Sequence, residues 1–340
     1  MTQSNSHIRF YQQMIVFIRN AIGLLDEQGR EELLQFLLSQ QNPDGGFKDR
    51  GERSDLYYSL FGGLMIRAWG KGHGAWSPKN GDRSPETEDR TPLPENEAVE
   101  GSNLEVRRPE SGVRKSANRS LSAKQSKGAI EGTILKLKLF IAHQASPEIP
   151  GFIEQCCLAL LQKELKISRF SRIRTLMKLS RSFWKERHSI NLSYRSFVLF
   201  LTLDAVLPFR GILKQLYGKM LSRIEVDQHS PCSEVAAKVF LLKRLNQLCE
   251  SDQELLKSFA CETGGFRAFQ HVEKADMLST AVALFALDFA GSDLRLLRPP
   301  CLDFIQQNFV DGAFLSGDGD QTTDLEYTFY GLLALGVLAD

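Results

Sequence analysis

A repeated pattern of a glycine turn, a phenylalanine, a short polar loop and an aspartate before an apolar segment constrains this chain most. The three copies occupy residues 33–64, 256–287 and 301–338. Their turns and aspartates are Gly45-Gly46-Phe47 with Asp55, Gly264-Gly265-Phe266 with Asp276, and Gly312-Ala313-Phe314 with Asp324. Internal repeats of this length are typical of architectures in which similar units stack on one another.

Each copy can be explained as a helical hairpin. Glycine adopts backbone angles that other residues avoid, so the chain can turn sharply after an outer helix. The phenylalanine can then anchor the turn on the core. The aspartate can cap the following inner helix by accepting hydrogen bonds from its first amides. Such a hairpin buries its apolar faces only when neighbouring hairpins pack against it.

The chain between the clear copies is also helical in its pattern. Apolar residues recur at helical spacing in residues 130–143, 196–207 and 234–248, and no Val/Thr alternation calls for a strand. We therefore predict an all-α fold.

The amino-acid sequence of the first repeat resembles that of a known protein family. Asp-Gly-Gly-Phe at 44–47, followed by Ser-Asp-Leu-Tyr-Tyr-Ser-Leu-Phe-Gly at 54–62, resembles the repeat of protein prenyltransferase β-subunits. Terpenoid cyclases carry a related repeat. The resemblance implies an α/α toroid, a ring of five to seven hairpins whose inner-helix N-termini surround a central cavity. One toroid serves several chemistries, so the reaction has to be inferred from individual residues.

Residues 79–128 differ from the rest of the chain. They contain no aromatic residue and no isoleucine, with acids mainly in the first part and bases in the second. Such a composition predicts disorder, and the segment is too long for an ordinary connection. It either joins two domains or interrupts one. Because repeats lie on both sides, we expect residues 1–78 and 129–340 to form one toroid with 79–128 as an insertion.

The resemblance implies a zinc site, which the residues do not support. In protein prenyltransferases the ligands are an Asp-x-Cys pair in one repeat and a histidine in the next. Here the corresponding positions hold Asp276, Leu278 and Tyr327. Leucine cannot bind zinc, and zinc sites use Cys, His and carboxylate ligands. We therefore expect no zinc cofactor, and we interpret His271, on the loop side, as a surface histidine.

Class II terpenoid cyclases instead use an Asp-x-Asp-Asp motif whose middle aspartate donates a proton. The positional counterpart here is Asp324-Leu325-Glu326. Two neighbouring carboxyl groups in a cavity raise the pKa of one of them. If the protein is an enzyme, we expect Glu326 to be the catalytic acid, supported by Asp324. The alternative is a capping Asp324 with Glu326 in the first helical turn.

Aromatic residues on the inner helices suit an isoprenoid ligand, because their faces are apolar and stabilise carbocations. Ordinary core packing is the alternative. The residues predicted to bind substrate, including the repeat aspartates, are Asp55, Tyr57, Tyr58, Phe61, Asp276, Tyr327 and Tyr330.

Bases are concentrated in residues 163–223, which contain fourteen Lys or Arg against three acids. Such a segment can bind a diphosphate, an acidic partner or a membrane surface. Within it, residues 168–188 mix bases with apolar side chains, as a membrane-surface helix does. The alternative is a solvated outer face over a buried stripe.

Two functions remain open. The first is an enzyme acting on a polyprenyl substrate, as a transferase or cyclase, and the second is a toroid without catalysis that serves as a protein- or lipid-binding scaffold. A net charge of +1 indicates no nucleic-acid partner, and six cysteines without metal spacing favour a cytoplasmic protein. The resemblance also implies a helical partner subunit.

Overall fold

The computed structural model describes residues 10–70, 123–144, 151–185, 192–206 and 226–339. These residues are mainly helical, which confirms the all-α prediction for this part of the chain. Their α-helices are α1 (Phe10–Leu24), α2 (Glu27–Ser39), α3 (Leu56–Gly70), α4 (Ala123–Gln144), α5 (Phe152–Glu164), α6 (Arg169–Lys185), α7 (Leu192–Val206), α8 (Cys232–Leu245), α9 (Glu250–Lys257), α10 (Met277–Ala290), α11 (Arg298–Gln307) and α12 (Leu325–Val337).

Three two-residue hairpins accompany the helices in the described ranges. The antiparallel pairs are β1 (Phe47–Lys48) with β2 (Ser54–Asp55), β3 (Phe266–Arg267) with β4 (Ala275–Asp276), and β5 (Phe309–Val310) with β6 (Ala313–Phe314). The first two pairs connect the glycine turn to the aspartate of a repeat. The sequence predicts only a polar loop there, because a two-residue strand has no alternation to detect.

The predicted helix boundaries need two corrections, and residue 207, the predicted end of α7, lies outside the described part of the chain. Helix α8 ends before Asn246, which adopts a left-handed φ of 58° and stops the helix short of residue 248. Helix α4 begins at Ala123, so residues 123–128 of the predicted insertion are helical. The remaining insertion residues, 79–122, lie outside the described part of the chain, as do residues 1–9 and 71–78.

Each repeat fixes its turn on its inner helix through the same hydrogen bond. The amide after the glycine turn donates to a hydroxyl four residues beyond the repeat aspartate. The pairs are Phe47 with Ser59 at 2.9 Å, Phe266 with Thr280 at 2.8 Å, and Phe314 with Thr328 at 3.2 Å. All three phenylalanine rings are buried. A Cβ atom on Gly331 of α12 would overlap the ring of Phe314, which explains a glycine inside this helix.

The turn glycines also join one unit to the next. Gly45 (φ +94°) packs against the backbone of Lys136 in α4, and Gly264 (φ +98°) packs against Pro300 in α11. Gly312 (φ +80°), in the last unit, packs against Glu32 in α2. No side chain fits at these positions, so the repeated glycines serve contacts between units as well as the turns themselves.

Inner helices contact one another in a continuous series. The order of contact is α3, α5, α7, α8, α10 and α12, and α12 in turn contacts α3. Helix α1, which precedes the repeats, packs against α3, α7 and α12. One large apolar cluster includes residues from all of these helices. In the described ranges, none of the helices has the length and apolar character needed to cross a bilayer.

Candidate functional site

A cavity of 540 Å³ lies among helix α1 and the six inner helices. Its wall is mainly apolar, and each inner helix supplies at least one side chain. One representative from each helix, in chain order, is Tyr57, Cys157, Phe197, Phe240, Phe285 and Tyr330. The cavity is therefore enclosed by all the helices of the series together and is not a gap between two neighbouring helices.

Three of the residues predicted to bind substrate belong to this wall: Tyr57, Phe61 and Tyr330. Their rings are in contact, with centroids 4.5 Å apart for Tyr57 and Phe61 and 5.6 Å apart for Phe61 and Tyr330. Phe61 also lies 4.6 Å from Phe329. The first and last repeats thus build one aromatic corner of the cavity. Leu278, at the position where the resemblance implied a cysteine ligand, is also in the wall.

Glu326 reaches the cavity through Tyr57. The Tyr57 hydroxyl donates to Oε1 of Glu326 at 2.7 Å. Burial raises the pKa of the Glu326 carboxyl, and the nearby charge of Asp324 raises it further, while the Tyr57 hydrogen bond and Arg50 lower it. Burial is the largest of these causes, whereas the sequence predicts only the contribution of the neighbouring Asp324.

Asp324 has partners at both carboxylate oxygens. Oδ1 accepts from the Tyr327 amide at 2.8 Å, so Asp324 caps α12, and Oδ2 accepts from Nε of Arg50 at 2.7 Å. The residue is 6% exposed. The guanidinium of Arg50 lies 5.0 Å from the centre of the Tyr327 ring. These partners belong to the junction between the first and last repeats, and Asp324 itself does not appear in the described wall.

Four other predicted residues are not among the described lining residues of the cavity. Asp55 caps α3 by accepting from the Tyr57 and Tyr58 amides, and Asp276 caps α10 by accepting from the Ser279 amide at 2.9 Å. Burial raises the pKa of the Asp276 carboxyl and of the Tyr58 and Tyr327 hydroxyls. A ligand-binding role for these four residues stays a prediction. What the structure does show is that both aspartates cap helices.

The described residues do not form a metal site of the kind that the resemblance implied. No group of three His, Cys, Asp or Glu side chains placed to hold a metal ion occurs in the described ranges. His271 is exposed and stacks on Phe269, with ring centroids 5.4 Å apart. Tyr327, at the position of the implied histidine ligand, lies against Arg50.

Most lining residues of the cavity were not predicted from the sequence, and three further residues with titratable side chains were also missed. Arg50 lies in the loop of the first repeat, and nothing in the sequence connects it to Asp324. Tyr11 belongs to α1, outside any repeat; it lines the cavity, is 2% exposed, and has a pKa raised chiefly by burial. Glu234, in the first turn of α8, places a carboxyl group in the wall itself, and burial raises its pKa. A carboxylate after Pro231 at a helix start was the available signal for Glu234.

Comparisons with known proteins give no match to a family model, to a curated protein or to a solved structure. The cavity has to be interpreted from its own geometry. It offers an apolar, aromatic volume with carboxyl groups at two places, Glu234 in the wall and Glu326 behind Tyr57. An arrangement of this kind can bind an apolar molecule and can hold a proton close to it.

Proposed function

We propose that this chain is an α/α toroid of the prenyltransferase and terpenoid cyclase type that binds an elongated apolar molecule in its central cavity. The contacts between successive inner helices, with α12 returning to α3, support the ring. The glycine turn of the last unit lies on α2 of the first in the same way that the earlier turns lie on the next outer helix. Both relationships are what a cyclic arrangement of hairpins requires.

The observation that carries the proposal is the cavity to which all six inner helices contribute. Its volume of 540 Å³ falls in the range of about 300–1,000 Å³ that is usual for small-molecule sites. An unfilled apolar space of this size within a core costs stability, so we interpret it as a binding site. The aromatic corner formed by Tyr57, Phe61 and Tyr330 suits an unsaturated chain.

A neutral polyprenyl chain fits this wall better than a diphosphate does. The described part of the wall contains no Lys or Arg, and its acidic residue is Glu234. A buried phosphate without a cationic partner is strongly unfavourable. We therefore propose that a polyprenyl alcohol, or the hydrocarbon part of a larger lipid, occupies the cavity, and that any anionic group remains outside it.

Acid catalysis is a second candidate function. It is favoured by two carboxyl groups whose pKa values burial raises, Glu326 behind Tyr57 and Glu234 in the wall. A neutral carboxyl group transfers its proton to one alkene carbon, the π electrons form the new C–H bond, and the neighbouring carbon becomes cationic. The aromatic rings of the wall would stabilise that cation. If the protein does not catalyse this proton transfer, the same cavity binds lipid in a scaffold without catalytic activity.

Ligand binding is tested with farnesol, which carries no charge, and with farnesyl diphosphate. We expect farnesol to raise the melting temperature of the purified chain and to be retained in native mass spectrometry, with a weaker effect of the diphosphate. Val282→Phe, which fills the cavity, should abolish the shift, whereas the volume-conserving Leu201→Met should retain it. Absence of binding by the wild-type chain, or equal binding by Val282→Phe, would contradict the proposal.

Catalysis is tested separately by incubating the chain with polyprenyl alcohols and analysing the products. Glu326→Gln and Glu234→Gln are the informative variants, because each preserves shape and removes the acidic proton. Loss of product in one of them, with farnesol binding unchanged, would identify the acid. Binding without any conversion by the wild-type chain would favour the scaffold.

The remaining proposals about location and partners rest on the sequence. All six cysteines are free thiols, which suits the cytoplasm. A helical partner subunit is implied by the family resemblance alone.

A further inference from the structure

Helix α6 presents apolar side chains to solvent. Phe170, Ile173 and Met177 are 87%, 55% and 54% exposed. Their spacing of three and four residues places them on one face of the helix. Isolated exposed apolar residues are common on protein surfaces, but an aligned set of three on one helix face marks an interaction surface.

The opposite face of α6 packs against α5 through the buried Leu179 and through side-chain hydrogen bonds. Ser182 accepts from the Gln155 side chain at 2.9 Å, and Ser171 accepts from the Gln162 side chain at 3.0 Å. The Thr175 hydroxyl donates to the side-chain Oε1 of Gln162 at 3.1 Å. These bonds fix the rotation of α6 about its own axis. The outward direction of its apolar side chains is therefore built into the packing.

The exposed face is also strongly basic. Helix α6 contains six Lys or Arg residues and no Asp or Glu. Arg174 and Arg181 are exposed, and helical spacing places them beside Met177 on the apolar face. A solvated outer face would carry charges of both signs over an apolar inner stripe. Helix α6 buries Leu179 and Thr175 on its inner side, and its outer side differs from a solvated face in carrying exposed apolar side chains and bases without an acidic residue.

We propose that α6 is an interfacial helix that docks the protein on an anionic membrane surface. Phe170, Ile173 and Met177 enter the boundary between headgroups and acyl chains, and Arg174 and Arg181 pair with lipid phosphates. The charge of the helix selects anionic over zwitterionic lipid. The three apolar side chains are each more than half exposed, which suits contact with a fluid lipid surface. This proposal does not depend on the ligand in the cavity.

Co-sedimentation of the full chain with vesicles tests the docking. We expect binding to phosphatidylcholine vesicles that contain phosphatidylserine, weak binding to phosphatidylcholine alone, and a decrease as salt is added. The triple variant Phe170→Ser, Ile173→Ser, Met177→Ser should reduce partitioning at least about tenfold. Arg174→Glu with Arg181→Glu should remove the preference for phosphatidylserine.

The matched controls replace an exposed apolar residue and an exposed basic residue that lie outside α6. Leu296 is 91% exposed outside α6, and Arg53 is an exposed base in the first repeat. Leu296→Ser and Arg53→Glu should bind vesicles as the wild type does, and circular dichroism melting should verify that every variant folds. Equal binding by the wild-type chain and the triple variant, or no binding to vesicles with phosphatidylserine, would overturn the proposal. Capture of an acidic protein by α6 without vesicle binding would also overturn it.

Discussion

The Tyr57 hydroxyl and the Glu326 carboxylate are joined by a 2.7 Å hydrogen bond, although 269 positions separate them in the chain. Tyr57 is in the first repeat and in the cavity wall, and Glu326 is in the last repeat. This bond therefore connects the junction between the terminal repeats with the proposed ligand site. Substitutions that break this bond should therefore affect both the junction and the cavity wall.

The first prediction concerns the strength of this bond. Tyr57→Phe removes the hydroxyl and should lower the free energy of unfolding by about 1 kcal/mol. In a Glu326→Met background, the same change should cost much less, because the acceptor is already absent. Urea unfolding of both single variants and the double variant measures the coupling. A coupling energy close to zero would show that the bond contributes nothing to the junction.

The second prediction concerns Asp324, which caps α12 and also bonds to Arg50. Asp324→Ala should lower the free energy of unfolding by about 2 kcal/mol, from loss of the cap and of a charged hydrogen bond. Asp276→Ala is the control, because Asp276 caps α10 in the equivalent way. Burial of the Asp276 carboxyl raises its pKa, so its charged form is less favourable in the folded protein. The cost of Asp276→Ala should be smaller, about 1 kcal/mol. Equal losses in denaturant unfolding would argue against a stabilising role for Arg50.

The third prediction concerns pH. Burial raises the pKa of Glu326 above its ordinary value of 4.5, so the folded state binds this proton more tightly than the unfolded state does. The resulting stability is fully present below the ordinary pKa and is lost as pH rises through the folded pKa. Glu326→Gln cannot titrate, so its free energy of unfolding should fall less over this range than that of the wild type. The exposed Glu131→Gln should follow the wild-type curve.

The fourth prediction concerns Gly312. Its φ of +80° and its contact with the Glu32 backbone leave no room for a side chain. Gly312→Ala should lower the free energy of unfolding by about 2–4 kcal/mol, because strain and overpacking act together. Gly132→Ala is the matched control: Gly132 is inside α4, and a Cβ atom there meets nothing within 4 Å. That change should stabilise the protein by up to about 1 kcal/mol.

The fifth prediction concerns zinc. With Leu278 and Tyr327 at two of the implied ligand positions, purified protein should contain no stoichiometric zinc. It should also fail to transfer a farnesyl group to a cysteine-containing peptide, since the thiol would lack the metal that activates it. Elemental analysis by mass spectrometry and a peptide transfer assay measure the two outcomes. One tightly bound zinc per chain would direct attention to His271 and Cys261 as ligands.

Local signals in the sequence were sufficient to predict the units of the fold. Helical spacing located most of α4, α7 and α8, and the glycine turns with their aspartates located the hairpins at α3, α10 and α12. Helix ends were less accurate, because the left-handed Asn246 that ends α8 has no strong local signature. The role of α1 could not be predicted, since its packing against α3, α7 and α12 depends on contacts distant in sequence.

The site was predictable only where it follows the repeat. Tyr57, Phe61 and Tyr330 follow a repeat aspartate and begin an inner helix, so their position in the wall could be inferred. Arg50 and Tyr11 could not be inferred in this way. Arg50 meets Asp324 because the first and last units are neighbours, and Tyr11 reaches the cavity because α1 packs among the inner helices. Both depend on tertiary arrangement rather than on local pattern.

The pairing of Phe61 with Phe329 has a consequence for biosynthesis. Their rings lie 4.6 Å apart and both are buried, yet one belongs to the first repeat and the other to the last. At a translation rate of about 5–20 residues per second, Phe61 leaves the ribosome roughly 15 to 50 seconds before its partner is made. During that interval the apolar face of the first hairpin is incomplete. Nascent chains are therefore expected to recruit chaperones until the final repeat has emerged.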